Sequence, residues 1–181
     1  MLTKVELRLR RAGSVQGFSL IELLIVIAII LIIAAIAIPN YLRSKMAANE
    51  ASAVEHVRAI GTAATVYNTS WNNGYPASLP TLGGVGATAT CTQAILLDSL
   101  ITSPPFAKSG YIFSYQGVGS NTPVVPGCPA GFYSYLTTAV PITLGSSGQR
   151  SFCSDLPGAI HFDITGAAIT SAAQCDALPT L

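Results

Sequence analysis

The chain has 181 residues, of which 50% are hydrophobic and 9% are charged, and its formal net charge is +1 at pH 7. This composition excludes a disordered, charge-rich chain and a strongly basic nucleic-acid-binding protein. The length allows one domain of ordinary size or a small domain with an appendage.

The charged residues are distributed unevenly along the chain. The first seventeen residues carry one acidic and four basic side chains, the latter being Lys4, Arg8, Arg10 and Arg11. Residues 18–181 carry five basic and seven acidic side chains, which is too weak a field to attract phosphate backbones. We therefore predict no nucleic-acid partner. The basic N-terminal segment is instead typical of one that stays in the cytoplasm.

An apolar run follows this basic segment. Leu23–Ile38 contains sixteen apolar residues without interruption, and only Ser19 and Glu22 are polar back to Phe18. About twenty helical residues at 1.5 Å each match a hydrocarbon core of roughly 30 Å. The run therefore predicts a membrane-spanning helix, with the rest of the chain on the outer side. A cleaved secretory signal fits less well, because residues 38–41 (IPNY) stand where its small-residue cleavage site is expected.

Glu22 is the unusual residue of the apolar run, because a carboxylate inside a membrane costs about 3 kcal/mol on insertion scales. Residues 17–24 read GFSLIELL, and this string resembles the processing site of type IV prepilins and their relatives. The resemblance implies that a prepilin peptidase cleaves on the cytoplasmic face after Gly17 and methylates the new amino terminus of Phe18. Pro39 and the tyrosine that soon follows it also match the family pattern.

The resemblance gives Glu22 a role in assembly. A carboxylate in a dry helix bundle is tolerable only when it is neutralised, and the nearest cation after cleavage is an amine of Phe18. In the family this pairing joins neighbouring subunits, and a subunit out of register would leave a buried charge unpaired at a cost of about 3–5 kcal/mol. The alternative is that Glu22 simply extends to the cytoplasmic surface of the membrane.

The helix is expected to continue beyond Pro39 as an amphipathic helix, because apolar residues recur at steps of three and four. These apolar residues are Met46, Ala53, Val54, Val57, Ile60, Ala64, Tyr67 and Trp71. The charged residues Arg43, Lys45, Glu50, Glu55 and Arg58 occupy other positions. Proline removes a backbone hydrogen bond and clashes with the preceding turn, so Pro39 predicts a kink or local melting of the helix.

The residues after the helix predict a globular head. Cys91–Leu100 is a short helical candidate within a connecting loop rich in Gly, Ala, Thr and Pro. The β-like runs that follow are Tyr111–Gln116, Phe132–Val140, Gln149–Ser154 and Ala159–Ile164. GSSG at 145–148 and DLPG at 155–158 are the expected hairpin turns. We predict an antiparallel sheet of about four strands that covers the amphipathic half of the helix.

Together, these patterns and the resemblance indicate an α+β fold, in which a long N-terminal helix packs on a C-terminal antiparallel sheet. The expected segments are a leader peptide over 1–17, an apolar half-helix over 18–40, an amphipathic half-helix over 41–71 and the head over 72–181. The apolar half-helix would contact membrane lipid before assembly and other copies of the chain afterwards.

The four cysteines all follow the apolar run and lack the close CxxC spacing of a zinc or redox site. Their even number on the outer side of a membrane predicts two disulfides. Three connectivities are possible. We favour Cys91–Cys128, which would hold the connecting loop, and Cys153–Cys175, which would close the C-terminal segment onto the sheet. Free buried thiols are the alternative.

The sequence contains no recognisable catalytic constellation. His56 lies in the amphipathic helix and His161 lies in a predicted strand near Asp163, and neither accompanies a nucleophile in a known motif. Asp155 and Asp163 together are too few ligands to indicate a calcium site. We therefore predict no enzymatic activity, no metal and no cofactor.

Three functions remain. The first is a major type IV pilin, a subunit of a helical filament of identical copies. Such a subunit is held in the inner membrane as a precursor and then becomes part of an extracellular pilus. The resemblance implies prepilin peptidase and an inner-membrane assembly platform as partners. It also implies roles in adhesion, twitching motility or DNA uptake.

The other two functions are related. A pseudopilin of type II secretion is the second, although its major subunit usually carries a calcium-binding loop and a tryptophan-containing turn near the C-terminus. In this chain the single tryptophan, Trp71, stands at the expected helix end. A minor pilin that binds a ligand at the filament tip is the third. The presence of Glu22 argues against it, because minor pilins often lack this glutamate.

Overall fold

The computed structural model describes residues 17–120, 125–156 and 158–181. Apart from Gly17, the predicted leader lies outside these residues. The chain divides into two compact units, one ending at Asn40 and the other covering Tyr41–Leu181. Helix α1, Leu20–Trp71, has 52 residues and contributes to both units.

The described part of the first unit is the apolar beginning of α1. Its large apolar side chains are all exposed, from Leu20 at 79% to Val26 at 47%. By length and composition this helix is suited to cross a membrane. Pro39 lies inside α1, so local melting is not observed, while the kink stays a prediction.

In the second unit, α1 is amphipathic as predicted. One face is fully buried, at Ala53, Val57, Ile60, Ala64 and Tyr67, and these positions follow the steps of three and four that keep residues on one side of a helix. The helix ends where the next residue, an asparagine, adopts a left-handed conformation with φ of 47°, which is a common way to terminate a helix.

The head contains a five-stranded antiparallel sheet in which consecutive strands are neighbours. The strands are β1 (Ala107–Lys108), β2 (Tyr111–Ser120), β3 (Phe132–Pro141), β4 (Ser151–Asp155) and β5 (Ile160–Asp163). The last four correspond to the four predicted strands. β1 is an additional strand, paired to the start of β2 through Lys108 and Tyr111.

One hydrophobic core joins the sheet to the amphipathic half of α1. Tyr111, Phe113 and Tyr115 alternate along β2 and all point to this core, as expected for the period of two in a strand. Tyr135 of β3 and Phe152 of β4 belong to the same cluster as the buried face of α1. The predicted α+β architecture, a long helix packed on an antiparallel sheet, is confirmed.

The loop between α1 and the sheet contains two short helices, α2 (Leu79–Leu82) and α3 (Ser99–Thr102). The helix predicted over Cys91–Leu100 is wrong for most of its length. The backbone N–H groups of residues 94–97 donate to carbonyl groups of residues 81–83, so the two segments pair with each other. Ile95 also has a φ of 52°, which is incompatible with a right-handed helix.

Two disulfides are present, Cys91–Cys128 and Cys153–Cys175, and these are the pairs that the sequence favoured. The first joins the α1–β1 loop to the segment before β3. The second joins β4 to α4 (Ala172–Asp176) and belongs to a small separate cluster with Leu136 and Ile169. The C-terminal segment is thereby held against the sheet.

Candidate functional site

The predicted cleavage site precedes the first turn of α1. Gly17, Phe18 and Ser19 have no regular secondary structure, and all three are exposed. A β-carbon at Gly17 would meet no atom of the described residues within 4 Å. A peptide bond that lies outside a helix between exposed residues is accessible to a peptidase.

Glu22 closes the first turn of the same helix. Its Oε2 atom accepts a hydrogen bond of 3.0 Å from the backbone N–H of Ser19. Ser19-Leu20-Ile21-Glu22 has the S-x-x-E pattern of a capping box, in which the glutamate returns to the N-terminal backbone of its own helix. In the uncleaved chain, the nitrogen of Phe18 is a neutral amide. Cleavage after Gly17 would turn it into a cationic amine about one turn from this carboxylate.

The apolar surface around Glu22 is left uncovered by the described residues of its own unit. Ile21 and Leu23, which flank Glu22, are 64% and 58% exposed. Such a surface can insert into a bilayer, or it can be buried against other helices of the same kind. Pairing of Glu22 with a Phe18 amine of another copy stays a prediction.

Glu50, one of the charged residues that the sequence analysis set apart from the apolar positions of the helix, is buried. Its Oε1 atom accepts from the backbone N–H groups of Gln149 and Arg150, at 2.9 and 3.3 Å. Its Oε2 atom accepts from Nε and Nη2 of Arg150, at 2.9 and 2.8 Å. The guanidinium group also lies over the rings of Phe152 and Phe162, at 5.5 and 5.3 Å.

These contacts decide the protonation of Glu50. Burial is the largest influence and raises its pKa, but the hydrogen bonds from Gln149 and Arg150 and the charge of Arg150 outweigh it, so the pKa lies below the usual value. The sequence did contain a signal for this position. Glu50 is three residues before Ala53 and seven before Val57, on the face of α1 that is buried.

Asp155 and Asp163, which the sequence analysis considered together, have different surroundings. Asp163 Oδ1 accepts from the backbone N–H and the hydroxyl of Thr165, both at 2.8 Å. Asp155 is buried, and its Oδ1 has no hydrogen-bond partner among the described residues. Its pKa is raised by burial first and then by the nearby charge of Asp176, while His161 opposes the shift. Within the described ranges, no three such side chains form a group able to hold a metal ion.

Both histidines are held in the folded head. His56 is half-buried with its ring edge against Phe113, at a centroid distance of 5.6 Å. Its pKa is lowered, mainly because burial disfavours the charged form. His161 is buried, and its Nδ1 lies 2.7 Å from the carbonyl oxygen of Leu178. The positions of both histidine side chains are therefore explained by packing within the folded head.

A family model described as the prokaryotic N-terminal methylation motif matches residues 13–38. The match includes Gly17, Phe18 and Glu22 and ends with the apolar run. No curated protein and no solved structure matches the chain significantly. The predicted processing signal is therefore confirmed as a motif, whereas the bond that is cleaved and the residue that is methylated stay predictions.

Proposed function

Because the chain carries the N-terminal methylation motif of the type IV pilin and pseudopilin superfamily on a long apolar helix, we propose that it is a major type IV pilin. Its role is structural and not enzymatic. Prepilin peptidase removes the leader after Gly17 and methylates Phe18. The mature subunit then leaves the membrane by packing its apolar helix among copies of itself.

The observation that supports this proposal is the combination of exposed apolar surface and one carboxylate. The first unit exposes a helix of large apolar side chains, which the described residues of that unit leave uncovered. Within it, the N–H of Ser19 is the one hydrogen-bond donor that Glu22 has among the described residues. Burial of this helix among identical helices would remove the apolar surface from water and lipid and would place Glu22 near the cationic amine of another Phe18.

The proposed sequence of locations follows from the same features. The precursor and the subunit pool reside in the inner membrane, with the leader in the cytoplasm and the head outside. An inner-membrane assembly platform then adds each subunit to an extracellular filament. Two disulfides in the head are suited to an oxidising compartment outside the cytoplasm. Adhesion, twitching motility and DNA uptake are the filament functions that we propose.

Mass spectrometry of filaments sheared from the cell surface tests this proposal. We expect the filaments to consist mainly of this chain, starting at Phe18 and carrying one methyl group on its amino terminus. The same strain without prepilin peptidase is the control, in which the chain should keep its leader and form no filaments. Absence of the chain from sheared filaments, together with loss of exoprotein secretion on its deletion, would instead identify a pseudopilin.

A further inference from the structure

We propose that one face of the head rests on the outer surface of the membrane before assembly and binds anionic phospholipid headgroups there. This face, the basal patch, is formed by Arg43, Met46 and Ala47 of α1 and by Leu144 and Ile164 of the head. The inference rests on the membrane-anchored precursor of the proposed function. It adds a lipid-binding surface to the globular part.

The basal patch is apolar at its centre. Arg43, Met46, Ala47 and Ile164 line one groove, and Ile164 is 74% exposed. Leu144, at 58% exposure, belongs to the same area. Its side chain lies over Gly166, two residues after Ile164, and leaves no room there for a β-carbon. Exposed branched side chains around a groove are suited to entering the boundary between headgroups and acyl chains.

The charge of the patch complements an anionic surface. Glu50 is the acidic residue that lines the groove, and its carboxylate is fully engaged with Arg150. Arg43 takes part in no ion pair among the described residues. One cation therefore remains beside the apolar centre, and a basic residue near an anionic membrane contributes roughly 1 kcal/mol of attraction.

The order of residues along α1 places these groups at the correct depth. A bilayer of 40–45 Å with a hydrocarbon core of roughly 30 Å has about 5–8 Å of headgroup region on each side. Arg43 follows the last residue of the apolar run, Ile38, by about 7.5 Å of helical rise, which is the outer edge of that region. Tyr41 lies between them and is 67% exposed, as expected for an aromatic residue at a membrane interface.

The full chain reconstituted in vesicles allows a direct test. A polarity-sensitive fluorophore is attached to Ser146→Cys, in the exposed turn next to Leu144. We expect its emission to shift to the blue in vesicles that contain phosphatidylglycerol, and to lose most of this shift in vesicles of phosphatidylcholine alone or at high salt. The same label on Ser70→Cys, at the end of α1 and about 40 Å beyond Arg43 along the helix, should show no response to lipid charge.

Charge variants complete the test. Arg43→Gln should reduce the ratio of membrane-bound to free heads about fivefold. Arg58→Gln is the matched control, because Arg58 is an exposed arginine farther along the same helix, and it should leave the ratio unchanged. A shift that follows the protein-to-lipid ratio and ignores lipid charge would overturn the proposal in favour of a contact between copies. The absence of a shift, in protein that flotation with the vesicles shows to be inserted, would also overturn the proposal. That outcome would leave the proposed assembly of filaments unaffected.

Discussion

Glu22 and Glu50 are carboxylates on the same helix, but their surroundings differ. Glu50 accepts four hydrogen bonds from Gln149 and Arg150, two from backbone N–H groups and two from the guanidinium. Within the described part of the chain Glu22 accepts one, from the N–H of Ser19 three residues before it. The side chains next to Glu22 are exposed and apolar, whereas Glu50 lies against the folded head.

The contacts of Glu50 serve the fold, whereas under the proposed function Glu22 serves assembly. A buried carboxylate needs its lone pairs occupied, and the head supplies this for Glu50 from a segment a hundred residues away. The single donor of Glu22 stabilises the start of the helix but carries no full charge. If this helix is buried among other helices, as we propose, such an acid needs a cationic partner, which we expect to be the Phe18 amine of another copy.

The largest expected effect is the loss of filaments when Glu22 is replaced. Glu22→Ala should reduce the quantity of sheared filaments at least tenfold, because each subunit would bury a Phe18 amine without its partner, at about 3–5 kcal/mol. Membrane insertion and cleavage after Gly17 should be retained, because neither step requires the charge. Immunoblots of sheared and membrane fractions measure all three quantities.

Glu22→Gln distinguishes the charge from the helix cap. Its amide oxygen can still accept from the N–H of Ser19, but it cannot pair with an amine as a carboxylate does. We expect this variant to assemble as poorly as Glu22→Ala. Filaments of normal number and length in Glu22→Gln would mean that the capping bond, and not the charge pair, is the feature that assembly needs.

Glu50→Ala should act on stability. Removing the carboxylate leaves the Arg150 guanidinium and two backbone N–H groups without their acceptor, which should lower the free energy of unfolding by about 2–3 kcal/mol. Glu55→Ala is the matched control, because Glu55 forms an exposed pair with Arg58 on the same helix, and it should cost less than about 0.5 kcal/mol. Denaturant unfolding of the full chain in detergent compares the two variants.

The pH dependence of this effect has a defined sign. Because the pKa of Glu50 is lowered in the folded state from its usual value of 4.5, its contribution to stability is present above pH 4.5. This contribution is lost as the pH falls through the folded-state pKa. The difference between the original chain and Glu50→Gln should therefore shrink below pH 4.5. A difference that stays constant to pH 3 would show that Glu50 acts through its shape alone.

Features that depend on neighbouring residues were predictable from the sequence. The processing motif lies within a few residues, and the buried face of α1 follows from helical periodicity, so both could be read before the structure was known. The S-x-x-E cap formed by Ser19 and Glu22 is equally local, although the sequence analysis did not predict it. β1 was missed because its two residues, Ala107 and Lys108, are too few to show an alternating pattern.

Contacts between distant segments were harder to predict. Nothing near Glu50 in the sequence indicates Arg150 as its partner, although its spacing from Ala53 and Val57 is that of the buried face. The helix expected over Cys91–Leu100 was wrong because backbone hydrogen bonds to residues 81–83 outweigh local propensity there. The four cysteines allowed three pairings, and only the positions of β4 and α4 bring Cys153 and Cys175 together.

A third carboxylate, Asp155, extends the comparison, because its buried Oδ1 atom has no hydrogen-bond partner among the described residues. Asp155 follows Cys153 by two residues in β4, and Asp176 follows Cys175, so the disulfide brings the two acids together. Burial and the charge of Asp176 raise the pKa of Asp155 above its usual value of 3.8. Its contribution therefore favours folding most below pH 3.8 and declines as the pH rises through the folded-state pKa.

Asp176→Asn should consequently stabilise the head at pH 7 by about 1 kcal/mol, because it removes the neighbouring charge while keeping the size of the side chain. The gain should disappear below pH 3.8, where Asp155 is protonated in both the folded and the unfolded chain. Thermal unfolding of the full chain in detergent at several pH values measures this gain. An equal gain at pH 3 and pH 7 would contradict the electrostatic explanation, since only a change in packing or helix propensity is independent of the charge of Asp155.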